Sequence, residues 1–217
     1  MDKAICKICG SRTSVLPDQQ LNRIYHLCDR CDYISLDAGC RVAPAAEKRR
    51  YLEHNNTLAN QGYVRMFQEF IAAAILPHRD RITTALDFGC GPEAVLAALL
   101  RREGLMVDIY DPYFAPEQVY RGKSYHLITA TEVFEHLHEP LETAVLLKKH
   151  LAPQGILAIM TLFHPQDPGQ FLHWWYRHDC THTGFFTPRT FSVLAQKLSL
   201  RLLWANEKNI CVLENAC

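Results

Sequence analysis

Two pairs of cysteines with the same internal spacing are the first residues able to do chemistry. Cys6-Lys7-Ile8-Cys9 and Cys28-Asp29-Arg30-Cys31 give C-x2-C, eighteen intervening residues and C-x2-C again. Each pair sits on a tight turn that aims two thiolates at one point, and the stretch between returns the second turn to close a tetrahedron. The spacing predicts a zinc site built from Cys6, Cys9, Cys28 and Cys31, structural because four thiolates leave the metal no open position. Gly10 suits the backbone of such a knuckle, and His26 reads as a surface or packing residue. Cys40, Cys90, Cys180, Cys211 and Cys217 show no pairing pattern and read as reduced, mostly buried thiols.

A second stretch, Leu86-Asp87-Phe88-Gly89-Cys90-Gly91-Pro92-Glu93-Ala94, reads as a strand end, a glycine turn and a helix start. In an open α/β sheet, that crevice is where ligands bind. Gly89, Gly91 and Ala94 satisfy the loose dinucleotide pattern, with Asp111 about 20 residues on where a ribose acceptor belongs, so a nicotinamide dehydrogenase has to be weighed. Against it, Asp87 and Glu93 put two carboxylates where a pyrophosphate would approach. A cationic cofactor is attracted there instead, and S-adenosylmethionine carries an ammonium and a sulfonium. A third cluster, His164, His173, Trp174, Trp175, Tyr176, His178, Asp179, Cys180 and His182, ends at Phe185-Phe186. Its aromatics and histidines suit a pocket for a planar or amphipathic acceptor. Asp179 and His182 would be orienter and base, or simply a hydrogen-bonded loop clamp.

The elements that must position these residues follow from periodicity. Ala43 to Ala46 reads as a linker into a polar helix over 47–54, and Gly62 to Leu76 as an amphipathic helix stopped by Pro77. From residue 83 strands alternate with helices: strand 85–88, helix 93–102, strand 106–110, strand 126–130, helix 140–151 and strand 156–162. A helix over 187–198, capped by Thr187, and a hairpin of 200–205 with 210–214 complete the chain. The alternation predicts an α/β fold, a Rossmann-like open and mostly parallel sheet with a terminal antiparallel hairpin. A small zinc ribbon over 1–45 precedes a second domain over 46–217.

Leu86 to Pro92 resembles the first motif of class I S-adenosylmethionine-dependent methyltransferases. Ile109-Tyr110-Asp111-Pro112 resembles their second motif, Leu127 to Leu137 the segment after their fourth strand, and Leu151 to Leu157 the turn into the fifth. Together with the amino-terminal cysteines, the chain is similar to a bacterial group of ribbon-fused methyltransferases. The resemblance implies that Asp87 and the turn of Gly89, Cys90 and Gly91 hold the cofactor's amino-acid end. Asp111 would accept from the ribose, Pro112 and Tyr113 would flank the adenine, and Thr131, Glu132 and His136 would line the floor near the methyl. Tyr51, His54, Asn55 and Asn56 would form the opposite wall. One departure is plain: only residues 112–125 separate the second and fourth strands of the family pattern, so its third strand and flanking helices are missing.

Composition narrows the function. A hydrophobic fraction of 48% and charged fraction of 21% are ordinary globular values and exclude disorder and coiled coil. No apolar run approaches the ~20 residues of a membrane span, and the first residues lack a signal peptide's apolar region, so a soluble cytoplasmic protein is expected. Lys+Arg 23 balances Asp+Glu 23 over the whole chain, and residues 1–45 carry six basic against five acidic side chains. That balance argues against a broad nucleic-acid surface. No N/D-P-P-Y motif follows the fourth strand and no Pro-Cys dipeptide occurs, which argues against adenine-N6 and cytosine-C5 chemistry. The expected function is therefore methyl transfer to a small-molecule acceptor. An RNA methyltransferase using its ribbon on RNA, and a non-catalytic zinc-ribbon binding protein, remain the rivals.

Overall fold

The computed structural model describes residues 4–53 and 56–216. In chain order the strands are β1 (Ser14–Asp18), β2 (Arg23–Leu27), β3 (Ile34–Leu36), β4 (Thr84–Phe88), β5 (Met106–Tyr110), β6 (Tyr125–Thr131), β7 (Leu151–Met160), β8 (Gly184–Phe185), β9 (Leu200–Ala205) and β10 (Ile210–Asn215). The α-helices are α1 (Pro44–Leu52), α2 (Gln61–Phe70), α3 (Val95–Arg102), α4 (Pro140–Lys149), α5 (Pro168–His173) and α6 (Pro188–Lys197).

The larger sheet runs β5-β4-β6-β7-β10-β9. Strands β4 to β7 pair in parallel, and β10 is antiparallel to both β7 and β9. Both faces are covered, which is why these strands read as nearly continuous apolar runs. Leu86, Ile128, Leu157 and Cys211 face a core shared with α4 and α6, while Ala85, Leu127, Ala158 and Val212 face α2 and α3. The order reverses between β5-β4 and β6-β7, placing a crevice at the carboxyl ends of β4 and β6. Residues 112–124 add no strand or α-helix between β5 and β6, as the shortened segment predicts.

The smaller sheet, β1-β2-β3-β8, joins the cysteine region to the rest of the chain. Ile34 and Ser35 pair with Phe185 and Gly184, and Cys6, Ile8, Cys28, Cys31 and Tyr33 belong to the same apolar cluster as Phe186, Phe191 and Leu194.

Three boundaries differ from the sequence reading. Residues 44–46 are not linker but the first turn of α1, where Pro44 is pre-set for a helix start and its missing N–H is no loss. The helix expected to stop at Pro77 leaves α geometry earlier: Ile71–Ile75 is a π turn and Leu76–Arg81 a 3-10 helix. Pro77 lies in that helix's first turn, where a proline is tolerated. Strand β7 begins at Leu151, not at residue 156. The expected cap at Thr187 is present as a capping box with Thr190.

Arg177 ties the cysteine region to the body. It is fully buried and donates to Asp18 Oδ2 and Gln20 Oε1, both at 2.6 Å, and to the carbonyls of Phe171 and Leu172. Removing one partner of a buried pair leaves an uncompensated charge and costs about 3–5 kcal/mol. Arg177→Met is therefore expected to lower stability by that amount in urea unfolding, and adding Asp18→Asn should recover part of the loss. Additive losses from the two substitutions would show that the pair is not coupled.

Candidate active site and four-cysteine cluster

The four cysteine sulfurs lie within 4.8 Å of one another, with Cys6–Cys31 at 3.5 Å and Cys9–Cys28 at 3.4 Å. Tetrahedral zinc with Zn–S near 2.3 Å needs sulfurs about 3.8 Å apart, so the donor set and its spread fit that ion. The thiols are shifted in opposite directions, Cys6 down to about 5 by its hydrogen bond with Cys31 and Cys28 up to about 11 by burial, so the cluster without a metal does not favour four thiolates together.

The glycine turn places a carboxylate at the mouth of the sheet. Gly89 (φ +81°) and Gly91 (φ +67°) are both left-handed, as is Ala94 at the N-cap of α3. Gly89 has a second reason to be glycine: a Cβ there would stand 2.3 Å from Val133 Cγ2, where the turns after β4 and β6 meet. Asp87 is 1% exposed. Its Oδ1 accepts from the Thr129 hydroxyl at 2.9 Å, because β4 and β6 put these residues opposite each other. Its buried Oδ2 has no partner among the described residues, and burial pushes the carboxyl up to about 6.

Asp111, at the end of β5, organises the turn. It accepts from the backbone N–H groups of Gly91 (3.1 Å), Tyr113 (2.8 Å) and Phe114 (3.0 Å), which uses three of roughly four acceptor positions on a carboxylate. These residues border a cavity of about 430 Å³ that also takes in Cys90, Pro112, Thr131, Glu132, His136 and His182. All ten expected cofactor residues therefore line one cavity. Four carboxylates face it, from Glu47, Asp87, Asp111 and Glu132, and no lysine or arginine is among the described residues lining it. The Cys90 thiol is pushed up to about 12 by burial and by Asp87 and Asp111, so it is no nucleophile at neutral pH.

The floor is strained. Glu132 has φ +54°, held there by its N–H donating to the Met160 carbonyl at 2.8 Å, in a conformation that costs a non-glycine residue about 1–3 kcal/mol. Glu132 is exposed where it lines the cavity, yet the protein packed around it and the neighbouring Glu135, whose charge and side-chain hydrogen bond both act on it, push its carboxyl well above the usual range. Tyr176 donates its hydroxyl to Glu135 and lies 3.3 Å from Glu132 Oε2.

His182 borders the cavity, and burial together with nearby His136 holds it down at about 4. Its Nδ1 donates to the Tyr176 carbonyl at 2.8 Å. Asp179, expected to orient it, accepts instead from the Thr181 N–H and hydroxyl and from Arg50 of α1. Despite its burial, these donors keep Asp179 well below the usual carboxylate range. Of the third cluster in the sequence, only His182 lines this cavity. Trp174, Tyr176 and Phe185 pack against Tyr25 and Ile34 of the smaller sheet, and His164 faces the Asp32 carbonyl at 2.7 Å.

The roof is α1, α2 and Asn56 between them; of the wall expected from the sequence, Tyr51 and Asn56 line the cavity. Glu47 accepts from both Tyr51 (2.6 Å) and Tyr113 (2.9 Å), which latches α1 to the segment after β5. Tyr63, Met66 and Phe67 of α2 close the side above Asp87. His54 and Asn55, expected in this wall, lie outside the described residues.

Residues 51–204 match the family described as methyltransferase domain, well over half of the chain. The chain belongs to that family. Among solved structures it is similar to an O-methyltransferase family protein from Burkholderia thailandensis, with a TM-score of 0.57 and 15% identity over 78% of this chain and 62% of that one. It is also similar to TnmH, with a TM-score of 0.50 and 16% identity over 80% of this chain and 62% of the other. The chain thus spans about six tenths of the length of these two proteins, and the likeness is one of fold. No curated protein matches the sequence.

The Gly89 turn generates a stability prediction. Gly89→Ala combines left-handed strain of about 1–2 kcal/mol with the Val133 clash, and urea unfolding is expected to show a loss of at least that size. Adding Val133→Ala should return the part due to the clash. A neutral Gly89→Ala variant would contradict the close approach.

Proposed function

We propose that the protein transfers the methyl group of S-adenosylmethionine to a small-molecule acceptor, with zinc in the four-cysteine cluster fixing the ribbon. The observation that carries this reading is the unpartnered Asp87 Oδ2, buried at the end of β4 in a cavity whose described lining residues include four carboxylates and no lysine or arginine. A buried carboxylate oxygen without a donor is costly, and an ammonium group brought into the cavity supplies one. A dinucleotide's phosphates would meet the same four carboxylates with repulsion.

When bound, S-adenosylmethionine supplies a methyl group activated by a sulfonium. The chain's own residues bind and orient. Asp87 and the Gly89–Gly91 turn hold the amino-acid end, and Asp111, while bracing the turn, has one acceptor position left for a ribose hydroxyl. Pro112 and Tyr113 flank the adenine, while Thr131, Glu132 and His136 face the reacting end. The roof of Tyr51, Tyr63 and Phe67 excludes water, and alignment of the acceptor provides most of the acceleration such a displacement needs. His182 carries its proton on Nδ1 and presents Nε2 to the acceptor, while Asp179 clamps the loop to α1. A cavity of about 430 Å³ beneath a latched helix suits a small molecule, and the balanced charge of residues 1–45 offers RNA little.

Three measurements test this. Calorimetry on folded, zinc-loaded protein is expected to detect S-adenosylmethionine binding, weakened tenfold or more by Asp87→Ala; absence of binding to the wild type would overturn the enzyme reading. Because Asp87 is held up at about 6, it is protonated below that pH and cannot receive the ammonium. Affinity should then fall roughly tenfold per unit as pH drops below 6, and Asp87→Asn should flatten the profile. Elemental analysis should find about one zinc per chain that disappears in a Cys6→Ser, Cys28→Ser variant, and unchanged zinc would refute the ribbon site.

A further inference from the structure

Beneath the proposed methyl site, Glu135, His136 and His182 form a second group with metal-ligand chemistry. One carboxylate oxygen of Glu135 and one nitrogen of each histidine lie within 4.8 Å of one another. Both imidazoles are already oriented. His136 Nδ1 donates to the Thr181 carbonyl at 3.2 Å and His182 Nδ1 to the Tyr176 carbonyl at 2.8 Å, so each ring keeps a lone pair on Nε2. A backbone carbonyl on the far nitrogen is the usual outer partner of a metal-bound histidine.

An independent observation points to a missing ligand. Glu135 is 0% exposed; Tyr176 occupies its Oε1, and its buried Oε2 has no hydrogen-bond partner among the described residues. Neither histidine can supply a donor from Nδ1, since those protons are on carbonyls. The nearest titratable neighbour is a second carboxyl, Glu132, which interacts with Glu135 by charge and by a side-chain hydrogen bond; no lysine or arginine lines the adjoining cavity among the described residues, and a cation would let both carboxyls ionise.

We propose that Glu135, His136 and His182 bind a divalent first-row transition ion that holds the acceptor's oxygen. Two imidazoles and one carboxylate favour manganese, iron or zinc over magnesium and calcium, which prefer all-oxygen shells. Both histidines line the cavity, so the open positions of the ion face the space where an acceptor lies. The proposal rests on the methyltransferase reading and names its acceptor class: a small molecule with a hydroxyl able to bind a cation. The ion lowers the hydroxyl's pKa. The O–H bond breaks, its proton leaving to bulk water, and the oxygen's electron pair forms the new C–O bond. The methyl–sulfur bond breaks with its pair left on sulfur, which becomes a neutral thioether.

The test is equilibrium dialysis of the full chain against Mn²⁺, with elemental analysis of all metals on both sides. The wild type is expected to hold two ions, zinc in the cysteine cluster and a second ion, manganese or retained zinc. His182→Ala and the milder Glu135→Gln are each expected to hold only the cysteine-bound zinc, with that retained zinc and an unchanged far-ultraviolet circular dichroism spectrum as the checks on folding. A wild type with one ion overturns the proposal, as does a second ion that survives both substitutions. Calorimetry separates the two readings. Cofactor binding with a single ion sinks the metal site alone, whereas two ions without cofactor binding sink the methyltransferase reading and, with it, the acceptor role.

Discussion

Thr183 uses its two backbone groups in opposite directions. Its N–H donates to the carbonyl of Glu135 at 2.7 Å, and its carbonyl accepts from Leu36 at 2.9 Å. One residue thus connects the cysteine region to the floor of the cavity, and the next two, Gly184 and Phe185, complete the smaller sheet against β3. Gly184 allows this because a Cβ there would stand 2.7 Å from the Tyr33 hydroxyl. His182 is the residue immediately before this junction. Its position relative to Glu135 and His136 is therefore tied to the fold of the cysteine region.

The cavity is electrostatically one-sided, and the fold tolerates this in two ways. Asp111 and Glu47 are satisfied by donors that belong to the protein: backbone N–H groups in the first case, Tyr51 and Tyr113 in the second. Asp87 and Glu132 are pushed towards their neutral forms by burial, so the empty cavity avoids holding four full charges at close range. A cationic ligand reverses that balance by favouring the ionised forms. The one-sided charge comes from the absence of lysine and arginine among the described residues lining the cavity, more than from any single contact.

What was legible in the sequence is what is local. The turn from Asp87 to Ala94 carries its geometry in its own residues, since left-handed positions and a strand-end carboxylate are visible as residue types, and all ten expected cofactor residues line one cavity. The cysteine pairs were equally plain. The roof was not: α1 has no buried residue among its nine, so periodicity could not orient it, and Glu47 looked like one more solvated acid. The aromatic stretch misled for a related reason. Trp174, Tyr176 and Phe185 have the composition of a ligand pocket, but a two-residue strand, β8, turns them towards Tyr25 and Ile34. A strand that short has no periodic signature.

That misreading alters what the cysteine region is for. If residues 164–186 had formed an acceptor pocket, the ribbon would be an appendage, free to recruit a macromolecule. Instead Phe171, Tyr176 and Phe185 pack with Tyr25 and Ile34 of the smaller sheet, His173, Trp174 and Trp175 border a separate surface pocket, and His182 alone of the stretch lines the main cavity. Arg177, buried beneath Asp18 and Gln20, closes the same joint from the other end of the segment. The shortened stretch between β5 and β6 leaves the body with one sheet edge less elaborated than its family pattern, and the ribbon adds a second sheet at the opposite side of the floor. The cavity is then bounded by α1, α2 and the turns after β4, β5 and β6, and its described lining residues carry four carboxylates and no lysine or arginine.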